Sequence, residues 1–426
     1  MIEMSYADAT PPSLSARGLW RMGILSGSFR HSLGTGLMCM VVFEAALLGS
    51  GQMLQLGGVT LKMILFGLSV VYTLVSLYCG DRISLSSTLL LSSLFASIAI
   101  ASLIGFVQGA DPKFIAEDVS PQLYFLLLPF FELTMGTARK LDLVTRIILI
   151  GALIMSAGYA VILGGLWFGA ISIVDLYKLL TTIGRGDFMY DGQTFRVFYK
   201  GSLYLGVAVI LFAFRRGRWA KIGMCISFIV LLLTATRGFL LAILMAALLY
   251  VLIGPARTRT KMAYAFLILV VGAVSVPVVL GIGGDKAESN SDRLITVNEV
   301  ADRVGLVSAV IGHGFGTGVP QRPEHMEITY LEIFHKQGVI GLLWLASVGT
   351  VLTLRLRKAV KVGNEDLAYP LFLCAVFVFI ESITNPFINN PIGLSVLVVC
   401  IAGLRVLAEP RVVGVSSERS KAIVYG

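Results

Sequence analysis

The stretch LSSTLLLSSLFASIAIASLIGFV occupies residues 85–107 and contains no charged side chain. A helix of this length crosses the hydrocarbon core of a bilayer, because about twenty residues at about 1.5 Å each suffice. Similar apolar runs recur along the whole chain, which is 56% hydrophobic and 14% charged and has a mean hydropathy of +0.86. Soluble domains carry roughly 25% charged residues. The sequence therefore predicts an all-α polytopic membrane protein.

About twelve transmembrane helices are predicted. They are placed near residues 33–52, 59–79, 85–107, 119–135, 144–167, 199–214, 219–236, 238–253, 263–281, 328–354, 368–385 and 391–407. The seventh and eighth are short and almost without a connecting loop, so a re-entrant hairpin is the alternative there. Residues 33–407 form the predicted transmembrane domain. We expect no cleavable signal peptide, because the first thirty residues are polar and basic, and we expect residues 1–16 to be disordered.

Positive charge alternates between the segments that connect these spans. Arg215, Arg216 and Arg218 share one segment, whereas residues 108–118 between two other spans are mildly acidic. Lys and Arg concentrate in short cytoplasmic loops. Both terminal segments, residues 1–32 and 408–426, are therefore predicted to be cytoplasmic, and the long loop at about 282–327 to face the opposite, periplasmic side. The net charge of +9 reflects this topology and does not indicate a nucleic-acid partner.

The long loop is the main polar segment of the chain, and long loops commonly carry function. His325 and Glu327 directly precede a predicted helix, where either could act as a base on a substrate hydroxyl. The alternative for Glu327 is electrostatic stabilisation of the helix N-terminus. His313 lies in GHGFGTG, whose backbone N–H groups could bind an anion. The favoured interpretation of the glycines is that they only make the loop turn back tightly.

Several cations lie where the alternation of charge does not require them. Arg237 stands at a turn between two apolar helices, and Arg196 and Lys200 stand where a loop enters a span. Guanidinium groups bind phosphate through paired donors, so these residues, with Arg293 and Arg322 of the long loop, predict a diphosphate site. The alternative for each is a snorkelling residue or an anchor for lipid phosphate.

The sequence predicts neither a metal nor a cofactor. No D-x-D motif faces the predicted outer side, and the five cysteines lie inside predicted spans without a partner at metal-ligand spacing. Glu332 is expected to pair with His335 or Lys336 along its own helix. Glu381 is expected to border the same outer cavity as the arginines.

The order of these features resembles the bacterial O-antigen ligase and polysaccharide polymerase family. The matching elements are T-x-[ST]-R-G at Thr234–Gly238, S-x-R at Ser291–Arg293, G-x-G-x-G at Gly312–Gly316, and a His element at His325 that leads into G-x-x-G at Gly338 and Gly341. The likeness covers roughly residues 190–400. The first half of the chain is similar only in its number of spans and its topology.

The resemblance implies a metal-independent glycosyltransferase of the bacterial inner membrane that uses an undecaprenyl-diphosphate-linked glycan. We interpret the chain as a polymerase that joins such repeat units into O-antigen or exopolysaccharide on the periplasmic side. A ligase that transfers O-antigen to lipid A-core is the alternative within the family. The alternative of another class is a secondary transporter or lipid flippase. Expected partners are the lipid-linked glycan, membrane lipids and a chain-length regulator or other polysaccharide assembly proteins.

One departure from the family pattern concerns the base. The family often carries a His-Asn pair whose His stands eleven residues before the first glycine of G-x-x-G. That position is Glu327 here, and His325 stands two residues earlier. Either the loop is displaced by two residues and His325 is the base, or Glu327 has taken the role.

Overall fold

A computed structural model describes residues 27–49, 55–56, 58–176, 178, 199–255, 258–282 and 287–409. The expectations for residues 1–16, for Arg196 and for the tail from residue 410 lie outside these residues. Apart from one short hairpin, the regular structure is helical. The elements, in chain order, are α1 Gly27–Leu48, β1 Gln55–Leu56, β2 Val59–Thr60, α2 Leu61–Tyr78, α3 Leu85–Val107, α4 Pro112–Leu123, α5 Leu127–Thr134, α6 Ala138–Trp167, α7 Leu203–Ala213, α8 Arg218–Leu233, α9 Arg237–Ile253, α10 Thr258–Ile282, α11 Ala287–Arg303, α12 Leu306–Ile311, α13 Thr329–Lys361, α14 Glu365–Glu381 and α15 Pro391–Ala408.

Within the described residues, six helices are long and apolar enough to cross a membrane. They are α1, α2, α3, α6, α13 and α15, and α7, α9 and α10 add shorter apolar helices. The polytopic all-α class is therefore confirmed. Each predicted span overlaps a helix, and residues 85–107 coincide with α3.

The predicted span 119–135 is broken into two helices. A 3-10 turn at Tyr124–Leu126 separates α4 from α5. Pro129 explains the break, because proline has no N–H to donate to the carbonyl of Phe125, four residues earlier. A 3-10 turn fills such a gap with tighter bonds.

The centre of the bundle is α15, which packs against α13, α14 and α5. Its residues from Ile392 to Leu404 are all buried. This burial on every side, and not its apolar composition alone, places α15 inside the bundle rather than at its lipid-facing surface.

A buried ion pair ties four elements together at one end of the bundle. Glu132 of α5 lies 2.9 Å from Arg355 of α13 and 2.9 Å from Arg405 of α15. Ser87 of α3 donates to the same carboxylate at 2.6 Å. The carboxylate is therefore paired and hydrogen-bonded, as a buried charge requires.

The long loop is itself partly helical, since it contains α11 and α12. Val300 of α11 packs against Val319 and Met326 in a small apolar cluster. Arg303 at the end of α11 donates to the carbonyl of Gly318 at 2.8 Å. These contacts fold residues 317–327 back onto α11.

Candidate active site

A buried lysine organises the polar centre at the loop end of the bundle. Lys336 is 2% exposed, and its ammonium lies 2.7 Å from Asp118 Oδ1 and 2.8 Å from Glu332 Oε1. It also donates to the carbonyl of Glu324 at 2.9 Å. The predicted pairing of Lys336 with Glu332 along the helix is confirmed. The partner from α4, Asp118, comes from the first half of the chain.

His325 lies against this ion cluster with one side of its ring. Its Nδ1 atom is 3.4 Å from Glu332 Oε1 and 3.5 Å from Asp118 Oδ1. The other oxygen of Glu332 accepts from the side-chain amide of Asn389 at 3.0 Å. The His325 side chain is 53% exposed, so its ring remains open to a ligand while Nδ1 faces the carboxylates.

The cluster changes the protonation of its outer members. The hydrogen bond to Glu332 raises the pKa of His325, and burial offsets part of that rise. Burial raises the pKa of Asp118, and this rise is opposed by the Lys336 ammonium and by the Gly316 N–H, which donates to Asp118 Oδ2 at 2.8 Å. Both groups therefore hold a proton to higher pH than in water.

A break in α13 explains how Lys336 reaches this position. Gly338 has φ 64° and ψ −157°, which interrupts the helix. The carbonyls of His335 and Lys336, freed by the break, accept from the N–H groups of His313 at 2.8 Å and Gly314 at 3.0 Å. A Cβ on Gly338 would lie 2.3 Å from the carbonyl oxygen of Val310. The G-x-G-x-G turn and the G-x-x-G element are thus two halves of one interlocked joint.

A cavity of about 300 Å³ opens beside His325. Its wall includes the predicted residues His325 and Lys200 together with Asp118, Glu332 and Lys336. The remaining lining residues are Glu117, Pro121, Gln122, Phe315, Ile333, Gln337, Pro386, Asn389, Asn390 and Pro391. The structure therefore brings one predicted base and one predicted cation to a single cavity.

Glu327 lies in a different setting from His325. Its Oε2 atom accepts from Arg293 Nε at 2.9 Å, and its Oε1 atom accepts from Arg322 at 2.9 Å. Arg322 also lies 4.0 Å from Asp292. Two of the predicted diphosphate ligands therefore share one carboxylate, and that carboxylate joins α11 to the segment before α13.

Arg237 is the first residue of α9 and is half-buried. The next residue, Gly238, lies so close to Glu381 that a Cβ there would be 2.6 Å from a carboxylate oxygen. Ala235 in the preceding turn has φ 50°, which is rare for a residue with a side chain. The T-x-T-R-G element thus forms a constrained turn directly against the end of α14.

His313 belongs to the interlocked joint rather than to the cavity wall. Its ring stacks on His335 with centroids 4.5 Å apart. Its two ring nitrogens lie 3.2 Å from the carbonyl oxygens of His335 and Arg303. This arrangement agrees with the interpretation of the glycine-rich stretch as a tight turn.

Sequence reasoning missed two members of the cluster. Asp118 appeared only as one acid of the mildly acidic segment 108–118, and Asn389 was not singled out. Both residues lie next to predicted spans, on the same side of the membrane as the long loop. Their position at a span end was the signal that could have identified them as candidate site residues. The pairing itself depends on tertiary structure.

Three ligand atoms of Asp118, His325 and Glu332 lie within 4.8 Å of one another. Such a set could hold a divalent cation. The Lys336 ammonium already lies at hydrogen-bond distance from both carboxylates. A lysine in that position supplies the positive charge that a metal would otherwise bring.

No model of a protein family matches the chain. An O-antigen polymerase of Shigella flexneri is 28% identical to it over 366 residues, which cover 83% of this chain and 90% of that protein. The likeness therefore extends into the first half of the chain, which supplies Asp118. This similarity confirms the resemblance found in the sequence: the chain is similar to an O-antigen polymerase over most of its length.

Proposed function

We propose that this chain is a membrane glycosyltransferase that polymerises lipid-linked repeat units into a polysaccharide. The similarity to an O-antigen polymerase over 83% of the chain carries the proposal. It also favours a polymerase over a ligase. A cavity lined by an exposed histidine, buried carboxylates and a lysine supports chemistry at one end of the bundle.

The reaction we propose begins with an acceptor hydroxyl in the cavity. His325 takes the hydroxyl proton, while the acceptor oxygen forms a bond to the anomeric carbon of the donor glycan. The bond between that carbon and the diphosphate oxygen breaks, and undecaprenyl diphosphate leaves. A base must lie within hydrogen-bond reach of the proton that it takes, and the cavity wall at His325 meets this requirement.

We propose His325, rather than Glu327, as the base. Nδ1 of His325 faces Glu332 and Asp118, so a proton on Nδ1 is held by carboxylates and the lone pair lies on Nε2. Glu327 accepts from two guanidinium groups, so both of its carboxylate oxygens are already engaged. Its proposed role is to orient Arg293 and Arg322.

The leaving diphosphate carries negative charge that cations can stabilise. We propose that Lys200, Arg237, Arg293 and Arg322 contribute to this, together with Arg196 and the backbone around His313. Lys200 has the strongest support, because it lines the same cavity as His325. The reaction is proposed to need no metal, because Lys336 holds the two carboxylates that a metal would bind.

The proposed topology has about twelve spans, with both termini cytoplasmic and the cavity facing the periplasm of a bacterial inner membrane. The alternation of basic segments supports it. A cysteine introduced at Thr317 should react with an impermeant thiol reagent added from outside, and one at Gly217 should not. Labelling in the reverse pattern would place the cavity in the cytoplasm and overturn the donor assignment.

The function itself is tested by the glycan of a deletion strain. Loss of long chains with single repeats retained on the lipid A-core supports the polymerase. Loss of all transfer to the core, with chains still assembled on the carrier lipid, identifies a ligase. Intact chains of normal length would reject both. Restoring the wild-type chain should return the ladder of lengths, and chain-length regulators are the expected partners of that step.

A further inference from the structure

One polar side chain of the cavity wall has an oxygen without a hydrogen-bond partner among the described residues. Gln122, near the end of α4, is 8% exposed. Its side-chain carbonyl oxygen is buried and accepts no hydrogen bond from the residues that the structure describes. A buried acceptor without a donor destabilises the folded protein, and such groups in native proteins call for an explanation.

The other amides of the cavity wall are already engaged. Asn390 Oδ1 accepts from the Ile392 N–H at 2.9 Å and caps α15. Gln337 Oε1 accepts from Ser97 at 2.8 Å. Asn389 donates to Glu332 at 3.0 Å. These three amides therefore have hydrogen bonds within the protein. The side-chain oxygen of Gln122 has none among the described residues.

We propose that Gln122 binds the acceptor sugar. This inference rests on the proposed function and adds to it a subsite for the terminal sugar of the incoming repeat unit. The Gln122 oxygen accepts a hydrogen bond from one ring hydroxyl, while the reacting hydroxyl of the same sugar faces His325. The side chain then sets which sugar is accepted, because a site built around a hydrogen bond discriminates against ligands that lack the donor.

The dimensions and surface of the cavity suit a saccharide. Its volume of about 300 Å³ is at the lower end of ligand pockets, which is enough for one or two sugar rings. Phe315 and Ile333 supply apolar wall for the C–H faces of a ring, and Lys200 and Glu117 supply charged groups for hydroxyls. The sugar here is the acceptor's, because the base lines the cavity and acts on the acceptor hydroxyl.

The test separates acceptor binding from the rest of the reaction. The repeat-unit glycan released from its lipid lacks diphosphate, so it competes for the acceptor subsite and cannot act as donor. Its inhibition constant is measured against elongation of the intact lipid-linked unit by the full chain in lipid nanodiscs. Gln122→Leu should raise this constant roughly three- to tenfold, the value of one neutral hydrogen bond, and leave the pH profile unchanged. Gln122→Met should act in the same way.

The matched control is Gln108→Leu, the same change at an exposed glutamine that does not line the cavity. It should leave the inhibition constant unchanged. An unchanged constant in both Gln122 variants would overturn the subsite. A lower kcat with an unchanged constant would also overturn it and make Gln122 a positioning residue. If the wild-type chain does not elongate the lipid-linked unit at all, the proposed function itself has failed, which is a distinct result.

Discussion

The Lys336 ammonium lies 2.7 Å from Asp118 Oδ1 and joins two helices whose paired residues are 218 positions apart. The same ammonium bridges to Glu332 one helical turn away. The charge balance of the site therefore depends on both halves of the chain. Removing this ammonium leaves two buried carboxylates that repel each other.

Lys336→Met should destabilise the protein by about 3–5 kcal/mol, the usual cost of leaving one partner of a buried pair unmatched. The thermal unfolding midpoint in detergent measures this. Lys358→Met is the matched control, because Lys358 is exposed on the same helix, and should leave the midpoint nearly unchanged. Equal effects of the two variants would contradict a structural role for the ion cluster.

His325→Ala should reduce glycan elongation by about 10²–10⁴-fold, the typical contribution of a general base, at a normal level of protein in the membrane. Glu327→Gln should retain partial activity, because it loosens Arg293 and Arg322 without removing the base. The opposite ranking of the two variants would assign the base to Glu327. If both variants keep full activity, the loop is structural.

The pH dependence of elongation should report His325. A base acts in its neutral form, so kcat/KM should fall as the pH drops through the pKa of His325. The hydrogen bond to Glu332 raises this pKa, so the midpoint of the acid limb should lie above about 6.5, the ordinary imidazole value. Glu332→Gln should shift the midpoint to lower pH, whereas Asp302→Asn at an exposed position of α11 should not. If Glu332→Gln leaves the midpoint unchanged, the acid limb of the pH profile does not report His325 hydrogen-bonded to Glu332.

Arg293→Lys and Arg237→Lys should each impair elongation substantially, because one ammonium cannot reproduce the paired donors of a guanidinium. The control is Arg357→Lys at an exposed position. Elongation assays at equal protein level measure the difference. Full activity of both lysine variants would identify the two arginines as interfacial anchors.

Elongation should survive a metal chelator. Lys336 supplies positive charge to Asp118 and Glu332, so EDTA treatment followed by assay in metal-free buffer should leave the rate within about twofold of the untreated protein. Recovery of a lost rate by added Mg²⁺ or Mn²⁺ would show that the proposed metal independence is wrong.

The sequence was most informative where a local pattern decides the structure. Apolar runs predicted α3 over residues 85–107 to the residue, because length and hydropathy alone define a span. The break at Pro129 was missed, although proline chemistry gives its reason. The helical content of the long loop was also missed, because α11 is polar and lacks the apolar length on which the span assignment relied.

For the candidate site, single residues could be predicted and their partners could not. His325 and Lys200 were named from their types and positions, and both line the cavity. Asp118 and Gln122 belong to the short helix α4. The sequence analysis had placed Asp118 in a loop and Gln122 at the start of a predicted span. Their proximity to His325 follows from the packing of α4 against α3 and α15, which no periodicity encodes.

The joint between the glycine-rich turn and the break at Gly338 has a consequence for substrate entry. Phe315 also donates its N–H to the carbonyl of Ala101 on α3 at 2.9 Å, so residues 313–315 are fixed to two membrane helices. This part of the loop cannot lift away as a cover without breaking those bonds. The cavity wall at Phe315 is therefore rigid before the substrate arrives, and binding there costs little ordering entropy.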